Sequence, residues 1–254
     1  MANLVVDVSE RIATLTLNRP EARNALDADL LRDLRAALDD ADASPDVDVI
    51  VLAAADPVFC AGLDLRELSP GGRFDIGELT RAGNPFPPRS KPVVGAINGP
   101  AVTGGLELAL SCDVLVASER ATFGDTHARV GIMPWWGMTV RLPEAVGART
   151  ALAMSLTGNF LGAHDAHRLG MVHAVVPHEE LGAAARRLAL DIASNDQVVV
   201  RKLLAAYREG LATTGEQARR DEHARAMAHQ GEGFDVSVFA ARRKAVVERG
   251  RSQA

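Results

Sequence analysis

The apolar positions along the first two thirds of the chain follow two different spacings. Short apolar runs, most of them rich in β-branched residues, predict β-strands at residues 12–17, 47–54, 93–97, 114–117 and 173–176. After the first run the spacing becomes helical, with Asp27 in the position of an N-cap. This spacing predicts a helix that buries Leu30, Leu31, Leu34, Leu38 and Ala41. Strands that alternate with helices predict an α/β fold with parallel strand pairing.

The last third of the chain has helical spacing only. It predicts helices at residues 181–193, 198–210, 215–229 and 235–248. The pattern therefore divides the chain into an α/β core, residues 1–195, and a helical C-terminal region, residues 196–254.

A Pro- and Gly-rich stretch between Ser69 and Ser90 interrupts the core pattern. Its prolines prevent one continuous helix, and we predict a mobile loop with a short helix over residues 76–82. Insertions of this kind often border binding sites, but a plain surface loop fits the composition equally well.

Composition and charge exclude several classes of protein. The 254 residues are 47% hydrophobic and 24% charged, which is typical of a globular chain. The formal net charge of −5 argues against a general nucleic-acid binder, which needs a basic face. Two cysteines, Cys60 and Cys112, form neither a disulfide framework nor a CxxC pair, so we expect a reducing, cytoplasmic setting. No export signal and no apolar run of about 18 residues is present, so we expect no membrane span.

Two glycine-containing turns follow predicted strands. Residues 59–64, FCAGLD, come after the strand at 47–54, and residues 98–107, NGPAVTGGLE, come after the strand at 93–97. Open α/β sheets bind ligands at the carboxyl ends of their strands. A helix that begins at Gly104 would present free N–H groups, and two such turns could direct two N–H groups at one oxygen as an oxyanion hole. A glycine pair before a helix is also, more simply, a tight turn.

Glu107 and His127 are the candidate acid/base residues. Glu107 lies three residues after Gly104, so on a helix it faces the same side and could move a proton beside that oxygen. The helix dipole also favours a carboxylate in the first turn without any catalytic role. His127 lies in a turn-like segment, residues 122–127, and could move protons near neutral pH, although a single histidine is more often structural.

The other sequence motifs give weaker evidence of a functional site. Neither a GxSxG elbow nor a Walker A pattern is present in the sequence. His164 and His167 would share one helix face, but they lack further ligands nearby, which favours a solvated face over a metal site.

Several long segments, in this order along the chain, resemble the crotonase family, also called the enoyl-CoA hydratase/isomerase superfamily. The segments are LNRPEARNALDADLL, FCAGLDLREL, KPVVGAINGPAVTGGLELALSCDVLVASERATFG and EGFDVSVFAARRKAVVERG. The resemblance runs from about Val5 to Arg249. It implies a spiral of repeated ββα units whose helical C-terminal region forms a homotrimer or a dimer of trimers. It also implies an acyl-CoA thioester as substrate. No metal or redox cofactor is implied, and coenzyme A counts as part of the substrate.

The resemblance assigns roles to particular residues. The backbone N–H groups of Leu63 and Gly104 would bind the thioester oxygen and stabilise an enolate. Glu107 matches the first of the two glutamates that family hydratases use. The positions implied to contact CoA are Arg23, Ala25, Ala61, Phe239 and Arg242.

Two departures from the family pattern bear on the reaction. The position of the second glutamate is occupied by His127, and Trp135 stands where hydratases commonly have glycine and dienoyl-CoA isomerases have an acid. Trp135 could fill the acyl pocket or displace the catalytic water. The leading hypothesis is an enoyl-CoA hydratase/isomerase-type enzyme of fatty-acid, β-oxidation-type metabolism. The alternatives are a 3-enoyl-CoA to 2-enoyl-CoA isomerase with Glu107 as its single base, and an acyl-CoA-binding protein with little catalysis.

Overall fold

The computed structural model describes residues 2–64, 66–67 and 84–211. The chain divides into two compact units, Met1–Arg201 and Lys202–Ala254, and the described part of the second unit is residues 202–211. The helices predicted at 76–82, 215–229 and 235–248 lie outside the described residues. The domain boundary at 195/196 and the oligomerisation role of the C-terminal region stay predictions.

The described residues form nine strands and eight α-helices. The strands are β1 Leu4–Ser9, β2 Ile12–Leu17, β3 Val49–Ala54, β4 Val93–Ile97, β5 Ala101–Val102, β6 Val114–Ser118, β7 Thr122–Gly124, β8 Phe160–Gly162 and β9 Ala174–Val176. The helices are α1 Ala28–Ala43, α2 Gly104–Ala109, α3 His127–Val130, α4 Met138–Val146, α5 Ala148–Thr157, α6 Ala163–Arg168, α7 Leu181–Ala193 and α8 Gln197–Leu211. None of these helices combines the length and the apolar composition that crossing a bilayer requires.

Six strands form the main sheet, in the order β1-β2-β3-β4-β6-β9. Strands β1 and β2 are antiparallel, and every other neighbouring pair is parallel. The α/β fold with parallel pairing is therefore confirmed, as are all five predicted strands to within two residues at either end. The sequence pattern did not reveal β1, because the side chains of Val5, Val6 and Val8 on this edge strand are all exposed and show no alternation.

Helices cover both faces of the main sheet. On β3, Ile50 and Leu52 point into the larger core with the leucines of α1, whereas Val49 and Val51 point into a second core with α7. Because successive side chains of a strand point to opposite faces, these strands read as continuous apolar runs. Because the strands from β2 to β9 in this sheet are parallel, their carboxyl ends lie at one edge of the sheet, and helices pack against both of its faces.

A smaller sheet lies beyond that edge, with β5 parallel to β7 and β7 antiparallel to β8. The prediction that residues 122–127 form a turn-like segment is wrong, because Thr122–Gly124 is strand β7 and His127 begins α3. Strands of two or three residues carry too short a pattern to detect. Here they exist because Phe123 pairs with Ala101 on one side and Leu161 on the other, both far away in sequence.

The predicted cap of α1 is confirmed. The Asp27 carboxylate accepts a hydrogen bond of 2.7 Å from the Leu30 N–H and lies 3.2 Å from the Arg19 guanidinium. The leucines predicted to be buried on α1 are all buried.

Replacing Asp27 with alanine leaves an N–H group of the first turn without its acceptor. We expect Asp27→Ala to lower the free energy of unfolding by about 1–2 kcal/mol, measured by urea denaturation. The matched control is Asp33→Ala on the same helix, which removes an exposed carboxylate that pairs with Arg32 beyond the first turn. It should cost less than about 0.5 kcal/mol, and equal losses in the two variants would contradict a capping role for Asp27.

Candidate active site

The two predicted glycine turns lie side by side at the carboxyl edge of the main sheet. The Cys60 N–H donates to the Pro100 carbonyl at 3.2 Å, and the Val102 N–H donates to the Cys60 carbonyl at 2.9 Å. A Cβ on Gly105 would lie 2.1 Å from the Cys60 carbonyl oxygen, so only glycine permits this approach of the two backbones.

Contact between the turns brings two backbone N–H groups together. A Cβ on Gly104 would lie 3.5 Å from the Leu63 nitrogen, and a Cβ on Gly62 would lie 3.3 Å from the Gly104 nitrogen. Within residues 2–64, 66–67 and 84–211, neither of these two N–H groups donates a hydrogen bond to a protein acceptor. Two adjacent N–H groups without a protein partner, one of them at a helix start, can bind an anionic oxygen.

Thr103 holds the start of α2 in an unusual backbone conformation. Its φ of 54° lies in the left-handed region, which a β-branched residue rarely adopts. Its N–H donates to the Gly124 carbonyl at 2.8 Å, and its hydroxyl lies 2.5 Å from the Thr126 hydroxyl. These contacts fix the first turn of α2 against the segment that leads to His127.

Glu107 is buried in the first turn of α2, with 2% of its surface exposed. Its Oε1 accepts hydrogen bonds from the backbone N–H groups of Trp136, at 2.8 Å, and Met138, at 3.2 Å. Burial raises the pKa of this carboxyl above its ordinary value, against the opposing effect of those N–H donors and of His127. Glu107 is therefore a rigidly held carboxyl group that takes up a proton more readily than an exposed glutamate.

His127 faces Glu107 from the start of α3. Its Nε2 lies 3.8 Å from the Glu107 Oε2, which is longer than a hydrogen bond, and its Nδ1 lies 2.6 Å from the Asp125 Oδ1. The imidazole is thus placed between two buried carboxyl groups.

Leu63, Gly104, Glu107 and His127 line one cavity of about 170 Å³. Its lining residues are Ala61, Leu63, Thr103, Gly104, Glu107, Thr126, His127, Val130, Ile132, Met133, Trp135 and Trp136. Six positions singled out from the sequence are thereby brought together, namely Ala61, Leu63, Gly104, Glu107, His127 and Trp135. Trp135 is partly buried, whereas Trp136 is 1% exposed.

The remaining predicted CoA contacts are placed differently. Arg23 and Ala25 are not among the lining residues, although the Arg23 carbonyl accepts the Ala61 N–H at 3.1 Å, which places the turn at Arg23 beside the cavity. Phe239 and Arg242 lie outside the described residues.

Sequence reasoning did not identify several residues that shape the site. They are Thr103, Asp125, Thr126 and the backbone N–H groups of Trp136 and Met138. Only Asp125 had a signal in the sequence, since a carboxylate two residues before a histidine can reach its ring.

The described residues contain no group of three or more His, Cys, Asp or Glu that could hold a metal ion. His164 and His167 do lie on helix α6, and the His167 Nδ1 donates to the Val172 carbonyl at 2.9 Å.

Comparisons with known proteins agree over nearly the whole chain. A family model described as enoyl-CoA hydratase/isomerase matches residues 7–246. A crotonyl-CoA hydratase of Syntrophomonas wolfei is 33% identical over 251 residues, which cover 96% of each protein. A probable enoyl-CoA hydratase of Rhizobium meliloti is 36% identical over 95% of this chain and 96% of the relative.

Solved structures agree as well. The crystal structure of an enoyl-CoA hydratase from Mycobacterium tuberculosis H37Rv is 51% identical, covers 90% of this chain and 100% of that chain, and has a TM-score of 0.77. An enoyl-CoA hydratase from Bacillus anthracis is 31% identical, covers 89% of this chain and 90% of that chain, and has a TM-score of 0.82.

Proposed function

We propose that this chain, which belongs to the enoyl-CoA hydratase/isomerase family and has its α/β crotonase fold, adds water to the double bond of a 2-enoyl-CoA. Membership makes it an enzyme of the enoyl-CoA hydratase type that acts on acyl-CoA thioesters. One observation carries the proposal. A single cavity contains two adjacent backbone N–H groups, on Leu63 and Gly104, together with the acid/base candidates Glu107 and His127.

The two N–H groups would bind the thioester carbonyl oxygen. Attack on the β-carbon of a 2-enoyl thioester moves negative charge onto that oxygen, which becomes an enolate oxygen. Hydrogen bonds from Leu63 and Gly104 stabilise this charge more than the neutral carbonyl of the substrate, and that difference lowers the barrier. The buried surroundings strengthen the effect, because little water screens the charge.

Glu107 and His127 would handle the protons. We infer that the Glu107 Oε2 accepts a proton from water while the water oxygen bonds to the β-carbon. Protonated His127 then delivers a proton to the α-carbon, so the product gains one H and one OH. Because the 3.8 Å between the Glu107 Oε2 and the His127 Nε2 is longer than a hydrogen bond, the proton on Glu107 would return to His127 through one bridging water before the next turnover.

The wall of the cavity is suited to an aliphatic acyl group. Apolar side chains form one side of it, namely those of Val130, Ile132, Met133, Trp135 and Trp136. An apolar wall favours hydrocarbon over polar substituents, and this supports a role in fatty-acid, β-oxidation-type metabolism. The exposed guanidinium of Arg23, beside Ala61, is suited to the phosphates of CoA.

A second candidate function is the isomerisation of a 3-enoyl-CoA to a 2-enoyl-CoA. Among the described residues that line the cavity, Glu107 is the only one with a carboxyl group. One carboxylate can remove a proton from the α-carbon and return it to the γ-carbon, so this reaction requires no bound water.

The absorbance of the conjugated enoyl thioester separates the possible activities. Hydration of crotonyl-CoA or a longer 2-enoyl-CoA removes the conjugated double bond, so we expect absorbance to fall and 3-hydroxyacyl-CoA to form. With a 3-enoyl-CoA, an isomerase would instead raise the absorbance. If short, medium and long 2-enoyl-CoA all remain unchanged, the hydratase proposal fails, and calorimetry with the same thioesters then tests for binding without turnover.

A further inference from the structure

We propose that Asp125 is a positioning residue that holds the proton on the Nδ1 of His127, so that the Nε2 is the nitrogen presented to Glu107 and to the substrate. This inference rests on the proposed function for its kinetic consequence, but its structural part is independent of any activity. It assigns a role to a residue that does not line the cavity.

The contacts of Asp125 point to the imidazole ring. Its Oδ1 accepts from the His127 Nδ1 at 2.6 Å and from the His127 backbone N–H at 3.2 Å. A carboxylate accepts hydrogen bonds and donates none, so the Nδ1 must carry the proton in both the neutral and the protonated imidazole. The Nε2 of the neutral ring then has a free lone pair.

The charge state of Asp125 agrees with this role. Burial alone would raise the pKa of its carboxyl, but the hydrogen bonds from His127 and Ser155 outweigh burial and hold that pKa below its ordinary value. Asp125 therefore remains an anion near neutral pH.

A local turn contact does not explain this arrangement. Aspartate often accepts the N–H two residues on, and the 3.2 Å bond to the His127 backbone is such a contact. A turn of this kind needs no buried charge, and burying a carboxylate is unfavourable unless it is paired. Asp125 is only 2% exposed, and its shorter bond goes to the ring.

The orientation of the ring determines which atom faces the second acid/base group. With the Nδ1 bonded to Asp125, the Nε2 lies 3.8 Å from the Glu107 Oε2. If the proton moved to the Nε2, the neutral ring would present a donor where the reaction cycle needs an acceptor. Asp125 thus acts on the reaction through His127 and does not touch the substrate.

Two variants test the proposal. Asp125→Ala removes both the acceptor and the charge, and we expect kcat for hydration to fall roughly 100-fold with little change in KM. Asp125→Asn keeps an oxygen that can accept from both His127 donors. We expect its kcat to be about tenfold higher than that of Asp125→Ala, and so about tenfold below that of the wild type. The matched control is Asp48→Asn, which neutralises a buried, ion-paired aspartate located before β3, at the opposite end of the sheet. It should leave kcat unchanged.

A spectroscopic measurement tests the same proposal without any substrate. Nitrogen-15 NMR of the histidine-labelled protein, with His127 assigned by comparison with His127→Gln and the pH raised until the ring is neutral, reports which ring nitrogen carries the proton. We expect the Nδ1–H form in wild type and in Asp125→Asn, and a shift towards the Nε2–H form in Asp125→Ala. An Nε2–H form in the wild type would overturn the proposal, and so would a wild-type kcat in Asp125→Ala. Inactivity of the wild type on every thioester would overturn only the proposed function, since the NMR result stands apart from it.

Discussion

Glu107→Gln is expected to lower kcat for hydration of a 2-enoyl-CoA by about 10³-fold, within the range for loss of one general acid/base group. The substitution replaces the carboxylate by an amide of the same shape. Its oxygen can still accept from the N–H groups of Trp136 and Met138, so the cavity should keep its form. Because a buried carboxyl is replaced by a neutral group, we expect a Tm no lower than that of the wild type.

The pH dependence provides a second measurement at Glu107. Burial raises the pKa of this carboxyl, so the fraction present as carboxylate declines at a higher pH than for an exposed glutamate. If the carboxylate accepts the proton of water, kcat/KM must decrease as the pH falls through that raised pKa, and Glu107→Gln must lose this dependence. The matched control is Glu179→Gln, an exposed glutamate on a short 3-10 turn, which should keep both the rate and the pH profile. A Glu107→Gln enzyme with more than about a tenth of wild-type kcat would rule out the role of main acid/base.

Gly62→Ala is expected to lower kcat by about 10²-fold, because it disturbs the two N–H groups that we assign to the oxyanion. Gly62 has a φ of +96°, and a Cβ there would lie 3.0 Å from the Val102 carbonyl oxygen and 3.3 Å from the Gly104 nitrogen. Backbone atoms cannot rotate away as a flexible side chain can, so the two turns must separate. The Gly104 N–H then no longer converges with the Leu63 N–H.

The chain offers a matched control for the backbone strain of this substitution. Gly170 has a φ of +90°, and a Cβ there would meet nothing within 4 Å. Both alanine variants should lose about 1–2 kcal/mol of stability from the left-handed conformation, but only Gly62→Ala should lose activity. Equal kcat values in the two variants would show that the spacing of these turns does not control the reaction.

Features that repeat within one element could be predicted from the sequence. The leucines of α1 recur at helical spacing and Asp27 precedes them, so both the buried face and the cap follow from local chemistry. The same holds for β4, which was predicted with the bounds that it has in the structure. Glu107 and the glycine turns were found in the same way, since Gly104, Gly105 and Glu107 belong to one short stretch.

The fold of the smaller sheet and the environment of the acid/base pair depend on contacts between distant parts of the chain. Strand β7 is too short to have a period, and it becomes a strand by pairing with residues about 20 and 40 positions away. The N–H groups that bind Glu107 belong to Trp136 and Met138, which lie 29 and 31 positions further along the chain. No local sequence pattern therefore predicts these contacts.

The amino-acid sequence was sufficient for the α/β class, the main strands, helix α1 and the candidates Glu107 and His127, because each has its own local signal of spacing, capping or residue type. Only the tertiary structure decided that the two turns place their N–H groups together and that His127 stands between Glu107 and Asp125. The physical reason is that burial and hydrogen bonding, which set the pKa of Glu107 and hold the His127 ring, arise only when separate elements pack around one cavity.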